Sequence, residues 1–184
     1  MDLLRPGVNS RVRQAERFAL PRLLDAAQDA LHLMRSSPGQ PGFIVGTDVA
    51  DAFHQVPLRP DEWRFVCASV LGHYYVFTVV IFGAASAPTT WGRFGAFLGR
   101  STAALLDPDL VRQDIYVDDP IFVASGPRPR VIHQLALAML WGSALGYPFA
   151  WAKCDGGNHV VWIGAQIHIS IIYMPLIFLR GIIV

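Results

Sequence analysis

The stretch that most limits how this chain can fold is IYVDDPIFV, Ile115 to Val123. Two adjacent carboxylates, Asp118 and Asp119, sit between the β-prone triplets Ile115–Tyr116–Val117 and Ile121–Phe122–Val123. This pattern predicts a hairpin whose tight turn carries the acids. Two like charges about 4 Å apart repel by roughly 4 kcal/mol at an effective dielectric near 20, and no basic residue lies within five positions. A cation from elsewhere must offset this: a distant Arg or Lys, or a hard divalent metal, which prefers carboxylate oxygens. A solvated polar turn is the alternative reading.

The surrounding chain is apolar. Of 184 residues, 53% are hydrophobic and only 16% charged, and the mean hydropathy is +0.37. Such a surface predicts regions covered by further chain or by a partner. The net charge of +1 excludes a global basic field, so any nucleic-acid contact must be local. Cys67 and Cys154 have no metal-type spacing and the six histidines are scattered. With no secretory pattern at the N-terminus, the expected setting is intracellular, cytoplasm or nucleus.

Helical spacing runs from Leu20 through Leu23, Leu24, Ala27, Leu31 and Met34, with Pro21 in its first turn, and SSPGQPG ends it. Phe43–Val49 predicts a buried strand closing on Asp48. Arg64–Leu71 and Tyr74–Phe82 flank Gly72–His73 as a hairpin. A helix is predicted over about 89–106, with Trp91, Phe94, Leu98 and Leu105 on one face, and another over 131–145 capped by Gly146. One or two strands are predicted over 159–169. This order predicts an α+β fold, an antiparallel sheet with helices packed on one face.

Four blocks then fall in one order: TDVADAFHQVPL (Thr47–Leu58), FGAASAPTTWGR (Phe82–Arg93), YVDD (Tyr116–Asp119) and LGYPFAWAKC…VVWIGAQI (Leu145–Ile167). Together they resemble the palm of a reverse transcriptase, most closely those of gypsy-like or DIRS-like retroelements, over roughly Leu4 to Ile167. The resemblance implies RNA-directed DNA synthesis: nucleotidyl transfer from a dNTP to a primer 3′-end on an RNA or DNA template. It implies Asp48, Asp118 and Asp119 as catalytic carboxylates, holding two Mg²⁺ (with Mn²⁺ as a substitute) together with the Val49 carbonyl. Two ions about 3.5–4 Å apart clamp both oxygens of an in-line displacement. Lys153, the only lysine of the chain, falls where the family neutralises or protonates the leaving pyrophosphate, a task suited to a lysine with a movable pKa.

By the same resemblance, Val49, Asp51, Ala52, Phe53 and Gly83 belong to the nucleotide pocket. Phe53 would lie beneath the sugar and leave no room for a 2′-hydroxyl; its alternative is an ordinary core phenylalanine. Arg93, Tyr116, Trp162 and Gly164 are implied as nucleic-acid contacts, Arg93 through template phosphate, Trp162 and Gly164 through the primer. For Arg93, Asp51 and Lys153 a purely structural role is the alternative.

The expected organisation is partial fingers and palm entry over 1–42, palm over 43–167 and a divergent apolar tail over 168–184, with fingertips, thumb and RNase H absent and processive activity therefore weak. Pro120, which lacks a backbone donor, should leave the return strand unpaired there or start it. Two other readings stand beside the polymerase. One is a non-catalytic retroelement remnant that binds nucleic acid or a partner. The other is a membrane-anchored protein, against which the tail's marginal length and His168, Ser170, Pro175 and Arg180 argue.

Overall fold

The computed structural model describes residues 7, 9–13, 16, 19–172 and 174–181, with side chains as far as Ser170. Contacts divide it into two compact units, 1–19 with 51–94, and 20–50 with 95–184. These run across the expected stretches 1–42 and 43–167.

The second unit is built on a four-stranded antiparallel sheet in the order β4-β5-β1-β6, from β1 (Gly42–Gly46), β4 (Val111–Tyr116), β5 (Asp119–Ser125) and β6 (Asp155–Gly157). Alternation along β5 sorts its side chains to two faces. Ile121 and Val123 pack with Ile44 of β1 against Ala26, Ala30, Leu33 and Met34 of α1 (Leu23–Ser36). Phe122 and Ala124 pack on the opposite face with Val131 and Ala138 of α3 (Arg128–Ala144). Helices thus cover both faces, which corrects the expectation of helices on one face only. A strand as central as β5 has two apolar sides to bury, and one helix covers one of them.

β7 (His159–Trp162), β8 (Ala165–Ile172) and β9 (Met174–Gly181) form a second antiparallel sheet. Val160, Trp162, Ile167 and Ile169 join the α1 cluster. Gly42 and Gly46 of β1 make that approach possible. A Cβ on Gly46 would meet Val160 Cγ1 at 2.9 Å, and one on Gly42 would meet Ile169 Cγ2 at 2.9 Å. The apolar tail thus extends this sheet through β8 and β9. Among the described residues no helix is long and apolar enough to cross a membrane.

α1 starts at Leu23 and not Leu20: Arg22 is the N-cap, its backbone N–H donating to Asp25 Oδ2 at 2.7 Å, so Pro21 lies just outside. α3 starts at Arg128, earlier than expected, because Pro129 is tolerated in a first turn. It ends in a Schellman arrangement: Gly146, at φ 85°, donates to Ser143 O, and Tyr147 N donates to Gly142 O, each at 3.0 Å.

In the first unit, β2 (Cys67–Val70) and β3 (His73–Val76) form the expected hairpin. Its turn residues Leu71 and Gly72 both have positive φ, 51° and 78°. Apart from half-buried Ala68, every residue from Cys67 to Val76 is exposed. α2 (Ala87–Ala103) buries Trp91, Leu98 and Thr102, while Phe94 and Leu105, expected on the same face, are exposed.

Candidate active site

The hairpin β4–β5 carries the acids as expected, with one adjustment. Tyr116 pairs with Asp119, so the two-residue turn is Val117–Asp118 and Asp119 is already the first residue of β5. Val117 takes a positive φ of 55°. Pro120 does not interrupt the strand; it pairs in register with Ile115. In an antiparallel ladder alternate residues turn their polar groups to opposite neighbours. The Pro120 carbonyl duly accepts from Thr47 N at 3.0 Å, on the β1 side. The missing donor is therefore absent from the β1 edge, and the β1–β5 register stops at Gly46–Ile121.

Asp48 consequently follows β1 by two residues instead of ending it. The segment is fixed from both sides: Val49 N donates to Asp118 O at 2.8 Å, Ala150 N to Asp48 O at 2.8 Å and Ala50 N to Pro148 O at 2.7 Å. This puts Asp48 beside the acid turn. Asp48 and Asp119 line one pocket with Thr47, Lys153, Asp155, Trp162 and Ile163. Asp155, which pairs with Gly46, is a fourth carboxylate that the sequence motifs did not single out. Its only signal was its place directly after Lys153–Cys154.

The electrostatics follow from that crowding. Burial pushes the Asp119 carboxyl up to about 6, aided by the charges of Asp118 and Asp48 and opposed by Lys153. Burial also raises Asp118, with Asp48 adding to the rise, while its own backbone N–H and Lys153 oppose it. The compensating cation is in part Lys153, whose Nζ donates to Asp48 Oδ2. That hydrogen bond, and next the Asp48 charge, raise the Lys153 pKa.

Carboxylates left with unrelieved mutual charge are the donor chemistry a hard divalent ion prefers. The Val49 carbonyl accepts no backbone hydrogen bond among the described residues. The donor set therefore fits such an ion in kind. Among the described residues, however, no three His, Cys, Asp or Glu side chains stand grouped to hold one.

Trp162 is only 4% exposed and lies in the α1 core cluster. Its indole N–H donates to the Asp119 carbonyl at 3.0 Å, and its ring meets Tyr116 edge to face at 6.4 Å. Trp162 therefore holds its ring inside the core, and what the segment turns outward is its turn. Trp162 and the half-buried Tyr116 brace the acid hairpin, and the turn Ile163–Gly164, with φ of 43° and 77°, is the part near the surface.

Asp51, Ala52, Phe53, Gly83 and Arg93 belong to the first unit. Phe53 and Ala52 are buried, Phe53 edge to face with Phe82 at 4.8 Å. Asp51 is exposed and left-handed, at φ 49°. Gly83, at φ 89°, gives its carbonyl to Asn9 Nδ2 at 2.7 Å, and Ala85 N donates to Asn9 Oδ1 at 3.0 Å. Arg93 pairs with Glu16 at 2.7 Å, both side chains largely exposed.

The fold is reverse-transcriptase-like. The fold is similar to a foamy viral protease-reverse transcriptase solved with double-stranded DNA, at TM-score 0.68 and 15% identity over 89% of this chain. It is also similar to the same enzyme solved with an RNA/DNA hybrid (0.65, 17%, 89%) and to the native prototype foamy virus protein (0.62, 18%, 85%). This chain covers 26%, 20% and 19% of those chains, respectively. No family model matches the sequence, and no curated protein does.

Proposed function

We propose that the chain is the palm, with part of the fingers, of a reverse transcriptase of retroelement type. Its reaction is template-directed nucleotidyl transfer from a dNTP to a primer 3′-end. The observation that carries this is the meeting of Asp48 with the Asp118–Asp119 hairpin at one end of a sheet whose fold is shared with reverse transcriptases. The similar structures were solved with double-stranded DNA and with an RNA/DNA hybrid, which supports nucleic-acid partners here.

In the reaction the primer 3′-oxygen attacks the α-phosphorus, the bond to the bridging oxygen of the β-phosphate breaks, and pyrophosphate leaves. Asp48, Asp118 and Asp119, with the Val49 carbonyl, would hold Mg²⁺ or Mn²⁺. Bound divalent ions supply positive charge to the attacking and leaving oxygens. Trp162 keeps the acid hairpin in place through the Asp119 carbonyl. Lys153, once free of Asp48, would offset charge on, or donate a proton to, the departing pyrophosphate.

The test is addition of one dNTP to a primed template in Mn²⁺. Asp118→Asn removes several kcal/mol of charge stabilisation, a loss of roughly a hundredfold or more. Undiminished addition by Asp118→Asn overturns the reading. A second reading, a non-catalytic remnant that only binds nucleic acid, is favoured by the engagement of Asp48 with Lys153. It predicts primer–template binding with no addition by the wild type.

A further inference from the structure

We propose that Lys153 is a resident cation of the acid pocket: its ammonium keeps Asp48 closed, and a divalent ion enters only as the ammonium leaves. This rests on the nucleotidyl-transfer reading of the same site and names its regulation.

Three observations carry it. Asp48 is the more buried partner, its side chain 14% exposed against 70% for Lys153. An acid so enclosed has little water to solvate it and depends on the ammonium, whereas the lysine can swing into solvent with little packing lost. Next, the backbone on both sides of the pair is fixed. Ala150 N is bonded to Asp48 O and Lys153 N to Ala150 O, each at 2.8 Å, so opening requires only side-chain rotation. Finally, three carboxylates and one ammonium leave the pocket with net negative charge, yet no three ligands are grouped for a metal among the described residues. Lys153 holds Oδ2 of Asp48, the carboxylate that an entering ion would share with the acid turn.

Ion entry and lysine release are then one exchange. The ammonium becomes free to meet an incoming phosphate only after a divalent ion has replaced it on Asp48. An ion-free site keeps its acids partly neutralised and its lysine withdrawn.

Because the chain has one lysine, ¹³C-lysine labelling of the full chain gives one ε-methylene resonance, assigned to Lys153. In Mg²⁺ it should move, saturating at the concentration at which calorimetry shows the ion bound. In Asp48→Asn it should stand near the released position without Mg²⁺. Lys153→Met should bind Mg²⁺ about one-and-a-half-fold to fivefold more tightly, the range of one partly exposed ion pair. Mg²⁺ binding with an unmoved lysine resonance, or unchanged affinity in Lys153→Met, overturns the exchange and leaves the polymerase reading standing. No Mg²⁺ binding by wild type or Lys153→Met overturns that reading, and the exchange with it.

Discussion

Asp114 on β4 faces Asp25 and Asp29 of α1, and burial, then those two charges, push its carboxyl up to about 6. Asp29 is itself held by Arg112 at 2.8 Å. A carboxyl whose folded pKa is raised favours the folded state while protonated. Its contribution is present below about pH 4 and lost as pH rises through about 6. Asp114→Asn should therefore match wild type near pH 4 and exceed it above pH 7. The gain is on the order of 1 kcal/mol after allowing for solvent screening of a half-buried group, and urea unfolding at the two pH values measures it. Trp162→Phe keeps most of the packing but leaves the Asp119 carbonyl without its donor. It should cost about 1–2 kcal/mol in the same assay and weaken the Mn²⁺ binding proposed for the site. At this scale the nearness of Asp48 to Asp118 and Asp119 was legible because each stands in a recognisable block. The Lys153–Asp48 pair was not, since 105 positions separate its partners. The burial of the Trp162 ring was not legible either, because motif position says nothing about which way a ring turns.

Elements marked by alternation and turn residues were read well: the β2–β3 hairpin, the acid hairpin and the Gly146 end of α3. β6 was missed because Asp155–Gly156–Gly157 has no strand pattern; it forms because Gly46–Ile44 offers a free edge. The buried face of α1 was read in part: Ala27 and Met34 are buried and Leu23 packs against the core, while Ala26, Ala30 and Leu33 join them. Small Ala26 and Ala30 let the helix approach β5, while larger Leu24 stays outside. In α3, Gly142 shows how two element-level effects compete. Alanine there should gain about 1 kcal/mol of helix propensity, but its Cβ would lie 2.5 Å from Phe149 Cε2 and Cζ. Overpacking costs typically 1–3 kcal/mol or more, so Gly142→Ala should lower the melting temperature. Leu71→Asn should raise it, because Asn-Gly suits a turn with both φ values positive and leucine does not. The expected gain is roughly 0.5–1 kcal/mol.

For the molecule as a whole, an apolar composition means apolar surface, and the β2–β3 hairpin carries much of it. Leu71 is 95% exposed, and Phe65, Tyr74 and Val76 are exposed beside it. Replacing Phe65, Leu71 and Tyr74 with polar residues should reduce self-association in sedimentation velocity without changing the circular dichroism. The layering was less legible, because periodicity tells which positions are buried and not against what; α1 and α3 take opposite faces of β5 for reasons found only in the packed sheet. The backbone of Val117 has a bearing on the entire chain. A β-branched residue with φ of 55° stores conformational strain, and the stored energy sits one residue from the acids. Glycine at 117 would relax it and yield a sturdier protein with a looser, slower acid turn. Val117→Gly should therefore outlast the wild type on heating, while the nucleotidyl transfer proposed above should be slower in it.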